Sequence, residues 1–246
     1  MERIKKGIAL ITGFCLFWTL ILFITSATVC NIAGDRSLMA VEMRRHASPK
    51  VTGLPDKEYS EMGLMITDYL MGRRESFQYY YTDAEGNLTV AFHPHEEEHM
   101  ADCRELIRKT GILRWIAGGA SLVLLAACVV LRKYRKSLST GTLAAFALAF
   151  VGGVFVMLWW LRDFDGLFTA FHRLLFTNEG WLLDTRTDLL IRLMPTSFFV
   201  SMGVRLALAV AAMALAALSA AITIRMIGKN EAEEEAQAAG TAAQEA

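Results

Sequence analysis

Two histidines carry the chemistry this sequence can offer, and each stands in a pattern. Around the first, the run Glu96-Glu97-Glu98-His99-Met100-Ala101-Asp102 sets Glu96, His99 and Asp102 three residues apart, on one side of a helix. A carboxylate one turn from an imidazole can fix its tautomer and raise its basicity, which general acid/base work requires. The second is His172, within DFDGLFTAFHRLLFTNEGWLLD at 163–184. There Phe164, Phe168, Phe171 and Leu175 follow the four-three-four spacing of one helical stripe, with His172 at its edge and Asp165 two turns before it. The bland counterpart is an amphipathic helix lying at a membrane surface, its histidine a bystander at headgroup level.

Two further patterns compete for attention. His95-Glu96-Glu97-Glu98-His99 satisfies H-E-x-x-H, in which two histidines a turn apart bind zinc and the glutamate activates water. Pro94 puts His95 in the first helical turn and no third ligand follows nearby, so no metal or other cofactor is expected. Further on, TDLLIRLMPTSFF at 187–199 pairs Asp188 with Arg192 at i, i+4 on a short helix stopped by Pro195. That is either a surface ion pair or a guanidinium offered to a lipid headgroup or a developing oxyanion. A G-x-S-x-G nucleophile elbow is absent.

What positions these residues is a membrane. Of 246 residues 54% are hydrophobic, and the mean hydropathy is +0.36. Four windows suit a bilayer crossing of about 20 residues: 7–29, 112–131, 142–161 and 204–227. Each must be helical, because lipid offers a bare backbone no hydrogen-bond partner. The basic start at 1–6 and the loop at 132–141, with Arg132, Lys133, Arg135 and Lys136, are expected in the cytoplasm. Segments 30–111 and 162–203 then face outward, both termini face inward, and both histidines fall on the outer side. The third span ends in Trp159, Trp160 and Arg162, an interfacial anchor pattern.

The outward segment 30–111 is long enough for a small cap. Tyr59, Met62, Ile66, Tyr69 and Leu70 suit one helical face, with Asp56 or Ser60 as its cap. The runs 77–82 and 88–92 read as a hairpin around Asp83-Ala84-Glu85-Gly86-Asn87. Pro94 followed by three glutamates starts a helix that runs on into the second span. The fold class is therefore all-α and membrane-embedded: four transmembrane helices with a small extracytoplasmic α+β cap inserted between helices 1 and 2. The first span reads as an uncleaved anchor, and Val29 before Cys30 spoils any lipoprotein attachment box. Cys15 and Cys128 lie inside spans, so the four cysteines suggest no disulfide framework. The acidic tail at 228–246 is expected to be disordered. Without a basic stripe carrying interleaved aromatics, no nucleic-acid partner is expected.

The combination Glu96-x-x-His99-Met100-x-Asp102, Phe164-Asp165-x-x-Phe168-x-x-Phe171-His172, Gly180-Trp181, Leu190-Ile191-Arg192-x-x-Pro195 and Phe198-Phe199 resembles a group of four-span bacterial membrane proteins. That group includes the lipoprotein intramolecular transacylase. The resemblance covers most of the chain; Cys103 stands where an aliphatic residue is expected, and His93, His95 and the acidic tail are peculiar to this sequence. It implies transfer of the sn-2 acyl chain of a lipoprotein's diacylglyceryl cysteine to the cysteine α-amine, giving the lyso-form. The partners would be diacylated lipoprotein amino termini in the outer leaflet of the bacterial cytoplasmic membrane, and membrane lipid. On this reading His99 and His172 are catalytic, one as base and the other as acid or electrostatic stabiliser, in either order. Glu96, Asp102, Asp165 and Arg192 support them, and Phe164, Phe168, Phe171 and Trp181 border the acyl chains. No covalent enzyme intermediate is needed, because amine and ester belong to one molecule. The alternatives are a non-catalytic membrane protein that binds lipid or a partner, and then a membrane zinc metallopeptidase. His172→Ala abolishes the first activity and spares the binding protein, whereas a chelator and His95→Ala affect only the peptidase.

Overall fold

The structure, a computed structural model, describes residues 1–83 and 86–244, with side chains as far as residue 227. The chain divides into two compact bodies. Met1–Ile24, Arg114–Met157 and Ala209–Ala246 form the first, and Thr25–Leu113 with Leu158–Leu208 the second. In chain order the helices are α1 (Glu2–Gly34), α2 (Arg36–His46), α3 (Pro49–Thr52), α4 (Asp56–Leu70), α5 (Pro94–Val130), α6 (Arg135–Arg162), α7 (Phe164–Leu175), α8 (Leu189–Leu193) and α9 (Thr196–Gln244). Strands β1 (Tyr80–Thr82) and β2 (Leu88–Val90) sit between α4 and α5.

Four of these helices are long and apolar enough to cross a membrane: α1, α5, α6 and the Thr196–Ile227 part of α9. The protein is a multi-pass membrane protein. In the first body the apolar side chains point outward, Leu122 70% and Phe155 65% exposed, as lipid contact requires. Helices in lipid gain little from apolar burial, so small residues and hydroxyls join them instead. A Cβ on Gly13 would collide with the Leu138 carbonyl and one on Gly141 with the Leu10 carbonyl, so α1 and α6 meet backbone to backbone. Thr142 Oγ1 donates to Gly13 O at 3.2 Å, and Ser139 Oγ to Ala221 O at 2.8 Å.

The second body has a conventional apolar core. Met39 and Met43 of α2, Tyr59, Met62 and Ile66 of α4, Leu193 of α8 and Phe198 of α9 are buried together. Gly63 permits the close approach of α4 to α2: a Cβ there would lie 2.8 Å from the Cα and Cβ of Ala40. The buried Glu42 accepts bonds from Arg45 (2.6 Å), Ser201 (2.7 Å) and Arg205 (2.9 Å), tying α2 to the start of α9. The strands pair antiparallel with Tyr81 opposite Thr89. They are shorter than the runs 77–82 and 88–92, because Phe77 and Phe92 leave the ladder for the core and pack together, tilted, with centroids 4.7 Å apart. Ala84 and Glu85 of the connecting turn lie outside the described residues.

Several boundaries differ from the sequence expectations. The helix expected at 59–70 starts at Asp56 but has Pro55 as its N-cap, with no side-chain cap, so neither Asp56 nor Ser60 takes that role. The basic loop at 132–141 shrinks to a 3-10 turn, Arg132–Tyr134, before α6 begins at Arg135. Hydropathy marks what lipid covers, not where the backbone hydrogen bonding of a helix starts. For the same reason α1 runs beyond 29 to Gly34 and α9 begins at Thr196, directly after Pro195. Helix α9 also continues to Gln244, where a disordered tail was expected. Lacking an apolar face does not prevent helix when the residues are mostly alanine, glutamate and glutamine, which are strong helix formers.

Candidate active site

Helix α7 brings His172 into place. Asp163 is its N-cap and accepts from the Gly166 amide at 2.8 Å, and the side chains at 164, 168 and 172 then stack at i, i+4, i+8. Phe164 and Phe168 lie 6.0 Å apart between centroids, Phe168 and His172 4.0 Å. His172 therefore continues the inner stripe instead of standing at its edge. Phe171 turns outward and is 51% exposed, although its ring edge still meets His172 at 5.5 Å.

His99 stands on α5, five residues into a helix whose apolar crossing starts only at about residue 112. Its ring centroid is 6.2 Å from that of His172, so two residues 73 positions apart form one pair. Phe176 packs against both, 5.3 Å from His99 and 5.6 Å from His172, and Trp181 lies 5.0 Å from His172. The pair sits in an aromatic box, 8% and 7% exposed.

Hydrogen bonding distinguishes the two rings. His172 Nδ1 lies 2.7 Å from the Phe168 carbonyl, which can only accept, so Nδ1 carries the hydrogen and Nε2 keeps its lone pair. His99 Nε2 meets Cys103 Sγ at 3.6 Å, while its Nδ1 is buried without a partner. Burial, together with the neighbouring His172, holds His99 down at about 4. Burial likewise lowers His172, opposed by its bond to Phe168. Both imidazoles are neutral at pH 7.

The supporting residues are placed less as expected. Glu96 does not bond His99. Its carboxylate is fully buried and accepts from the amides of His93 and Leu190, each at 2.7 Å. The first bond is the return arm of a capping box on α5 and the second fills the open amino end of α8, so Glu96 clamps the two helices together. Asp102 reaches Asn178 Nδ2 at 2.8 Å, and Asn178 O in turn accepts from Trp181 Nε1 at 3.0 Å. It acts on His99 through charge, against the downward push of burial. Asp165 is exposed on α7, two turns before the buried His172, and among the described residues hydrogen-bonds neither histidine.

The i, i+4 ion pair between Asp188 and Arg192 is not formed. Arg192 donates to backbone carbonyls, Asp188 O at 3.1 Å and Val51 O at 3.3 Å. The Asp188 carboxylate, 2% exposed, turns inward to His95 Nε2 (2.9 Å), the Asp184 amide (2.7 Å) and Thr187 Oγ1 (2.9 Å). His95 and His99 consequently do not converge on one point, and the H-E-x-x-H motif builds no metal centre among the described residues. Sequence reasoning missed Phe176 and Asn178. Phe176 stands at i+4 from His172, the spacing that already linked Phe168 to it.

Over residues 11–199 the sequence matches the family described as lipoprotein intramolecular transacylase Lit. Among solved structures, the membrane integral lipoprotein intramolecular transacylase Lit from Bacillus cereus is similar, with a TM-score of 0.70 and 14% identity, over 93% of this chain and 99% of that one. Two variants of the same protein, with one histidine replaced by arginine or by alanine, align with TM-scores of 0.65 and 0.61 and the same 14% identity. They cover 94% and 96% of this chain, and 97% and 99% of their own. No curated protein sequence matches this chain.

Proposed function

The chain belongs to the lipoprotein intramolecular transacylase Lit family, and from that premise we propose that it moves the sn-2 acyl chain of a lipoprotein's diacylglyceryl cysteine to the cysteine α-amine. The observation that carries the reading is the buried, neutral pair His99–His172, with one unprotonated nitrogen, His172 Nε2, held ready by the Phe168 carbonyl.

His172 Nε2 takes a proton from the α-amine as its nitrogen attacks the ester carbonyl. The amide C–N bond forms, the tetrahedral centre collapses, and the ester C–O bond breaks. The imidazolium returns its proton to the departing glycerol oxygen, so one proton leaves nitrogen and one arrives on oxygen. Cys103, its thiol pushed up to about 12 by burial, stays protonated and can donate to His99 Nε2, which leaves a hydrogen on Nδ1 for the developing oxyanion. Phe168, Phe176 and Trp181 exclude water, which would otherwise hydrolyse the ester. Phe164 and the exposed Phe171 and Leu174 border the acyl chains. Asp102 and Asn178 hold Trp181, and Glu96 fixes α5 against α8. Asp165 and Arg192 keep no direct part in this scheme.

The substrates in this reading are diacylated lipoproteins of the outer leaflet, and the site faces away from the cytoplasm. The test uses purified protein in micelles with a synthetic diacylglyceryl-cysteinyl peptide. The expected product is N-acylated and of unchanged mass, and intact-protein mass spectrometry during turnover finds no acylated enzyme. An acyl adduct on the protein that forms and decays at the turnover rate would replace this mechanism with a covalent one.

A further inference from the structure

Two buried carboxylates that take no chemical step in the proposed reaction, Glu96 and Asp188, meet at the joint of α5 and α8. One ligand atom each from His93, Glu96 and Asp188 lies within 4.8 Å of the others. From this geometry we propose that the three residues bind one divalent transition-metal ion of the zinc class, which pins α8 to the start of α5.

Charge is the first argument. Glu96 is 0% and Asp188 2% exposed, and among the described residues neither carboxylate forms an ion pair with lysine or arginine. Two buried, adjacent carboxylates repel each other and lose hydration, a cost that a shared proton or a cation between them relieves. The neighbouring imidazole of His95, which bonds Asp188 Oδ2, supplies part of that charge only when protonated. A divalent ion supplies it at any pH at which its ligands are deprotonated.

Ligand capacity is the second. Each Glu96 oxygen accepts one amide, and a carboxylate offers about four lone-pair sites, so both oxygens can still ligate. His93 has no side-chain hydrogen bond among the described residues and stacks on His95, centroids 5.8 Å apart and planes 7° from parallel. Tetrahedral zinc with bonds of about 2.0–2.2 Å sets its ligands about 3.4 Å apart. The exposed His93 ring has the freedom to close the difference. One imidazole with two carboxylates favours zinc over magnesium or calcium, and a water completes the fourth position. His95, bonding a ligating carboxylate from outside, takes the orienting role that partners of metal ligands commonly have. The site differs from the H-E-x-x-H motif, since His99 belongs to the other histidine pair.

The experiment titrates zinc chloride into chelator-stripped, tag-free protein in micelles, by isothermal titration calorimetry and thermal unfolding. The expected result is one zinc per chain and a melting midpoint that rises with zinc. In His93→Ala, an exposed position that leaves the fold alone, and in Asp188→Asn, affinity falls at least about tenfold. His172→Ala binds zinc like the wild type. Absence of saturable binding overturns the proposal. So does affinity unchanged in both ligand variants, or affinity lost only in His172→Ala, which would put the ion at the catalytic pair.

Discussion

At His172 one bond decides what the ring can do. Because Nδ1 is committed to the Phe168 carbonyl, Nε2 is an acceptor whenever the ring is neutral. Burial makes it neutral, and His99 more so, at about 4. Nuclear magnetic resonance titration of nitrogen-15-labelled histidine in micelles, assigned through His99→Ala and His172→Ala, should find both rings protonating below the ordinary value of about 6.5. A midpoint above 6.5 for either would mean a charged pair and a different mechanism. At this scale the chain was half legible. Both histidines, Phe168 and Trp181 stand in patterns that point to them, because spacing on a helix is written in the sequence. The role of Glu96 is not. Three-residue spacing from His99 offered a partner, but burial against α8 gave its oxygens to the amides of His93 and Leu190. Likewise Asp188 satisfied a helical spacing with Arg192, yet turned to His95 across 93 positions.

Helices and their joints decide whether the pair meets. Glu96 closes the joint of α5 with α8, and removing it orphans the buried Leu190 amide, a loss of about 1–3 kcal/mol. Glu96→Ala should therefore lower the melting midpoint in micelles measurably, with activity falling as α8 loosens; an unchanged midpoint would deny Glu96 that structural part. The α2–α4 joint depends on Gly63. Gly63→Ala forces the helices apart at Ala40, an overpacking cost of about 1–3 kcal/mol, whereas Gly119→Ala meets nothing within 4 Å and should leave the midpoint alone. Equal midpoints for the two variants would contradict the packing described. The four spans and the hairpin were legible because hydropathy and strand patterning are local. The starts of α6 and α9 and the extent of α9 were not, since a helix continues past the lipid wherever its residues tolerate it.

The whole chain belongs to the Lit family and has four helices long and apolar enough to cross a membrane, and the proposed orientation rests on its basic segments. Single cysteines introduced by Lys136→Cys and Thr177→Cys, in a background without the native cysteines, test it with a membrane-impermeant maleimide on intact cells. Only the second should be labelled; labelling of the first alone would invert the topology and place both histidines in the cytoplasm. The most direct test of the account is mass spectrometry of lipoprotein amino-terminal peptides from a host that makes only diacyl forms, with this gene, its His99→Ala or His172→Ala variant, or neither. The account predicts a mass-neutral move of one acyl chain from glycerol to the amine with the wild-type gene, absent in both variants despite normal membrane expression. Peptides left diacyl by the wild-type protein, or converted equally by a variant, would contradict it.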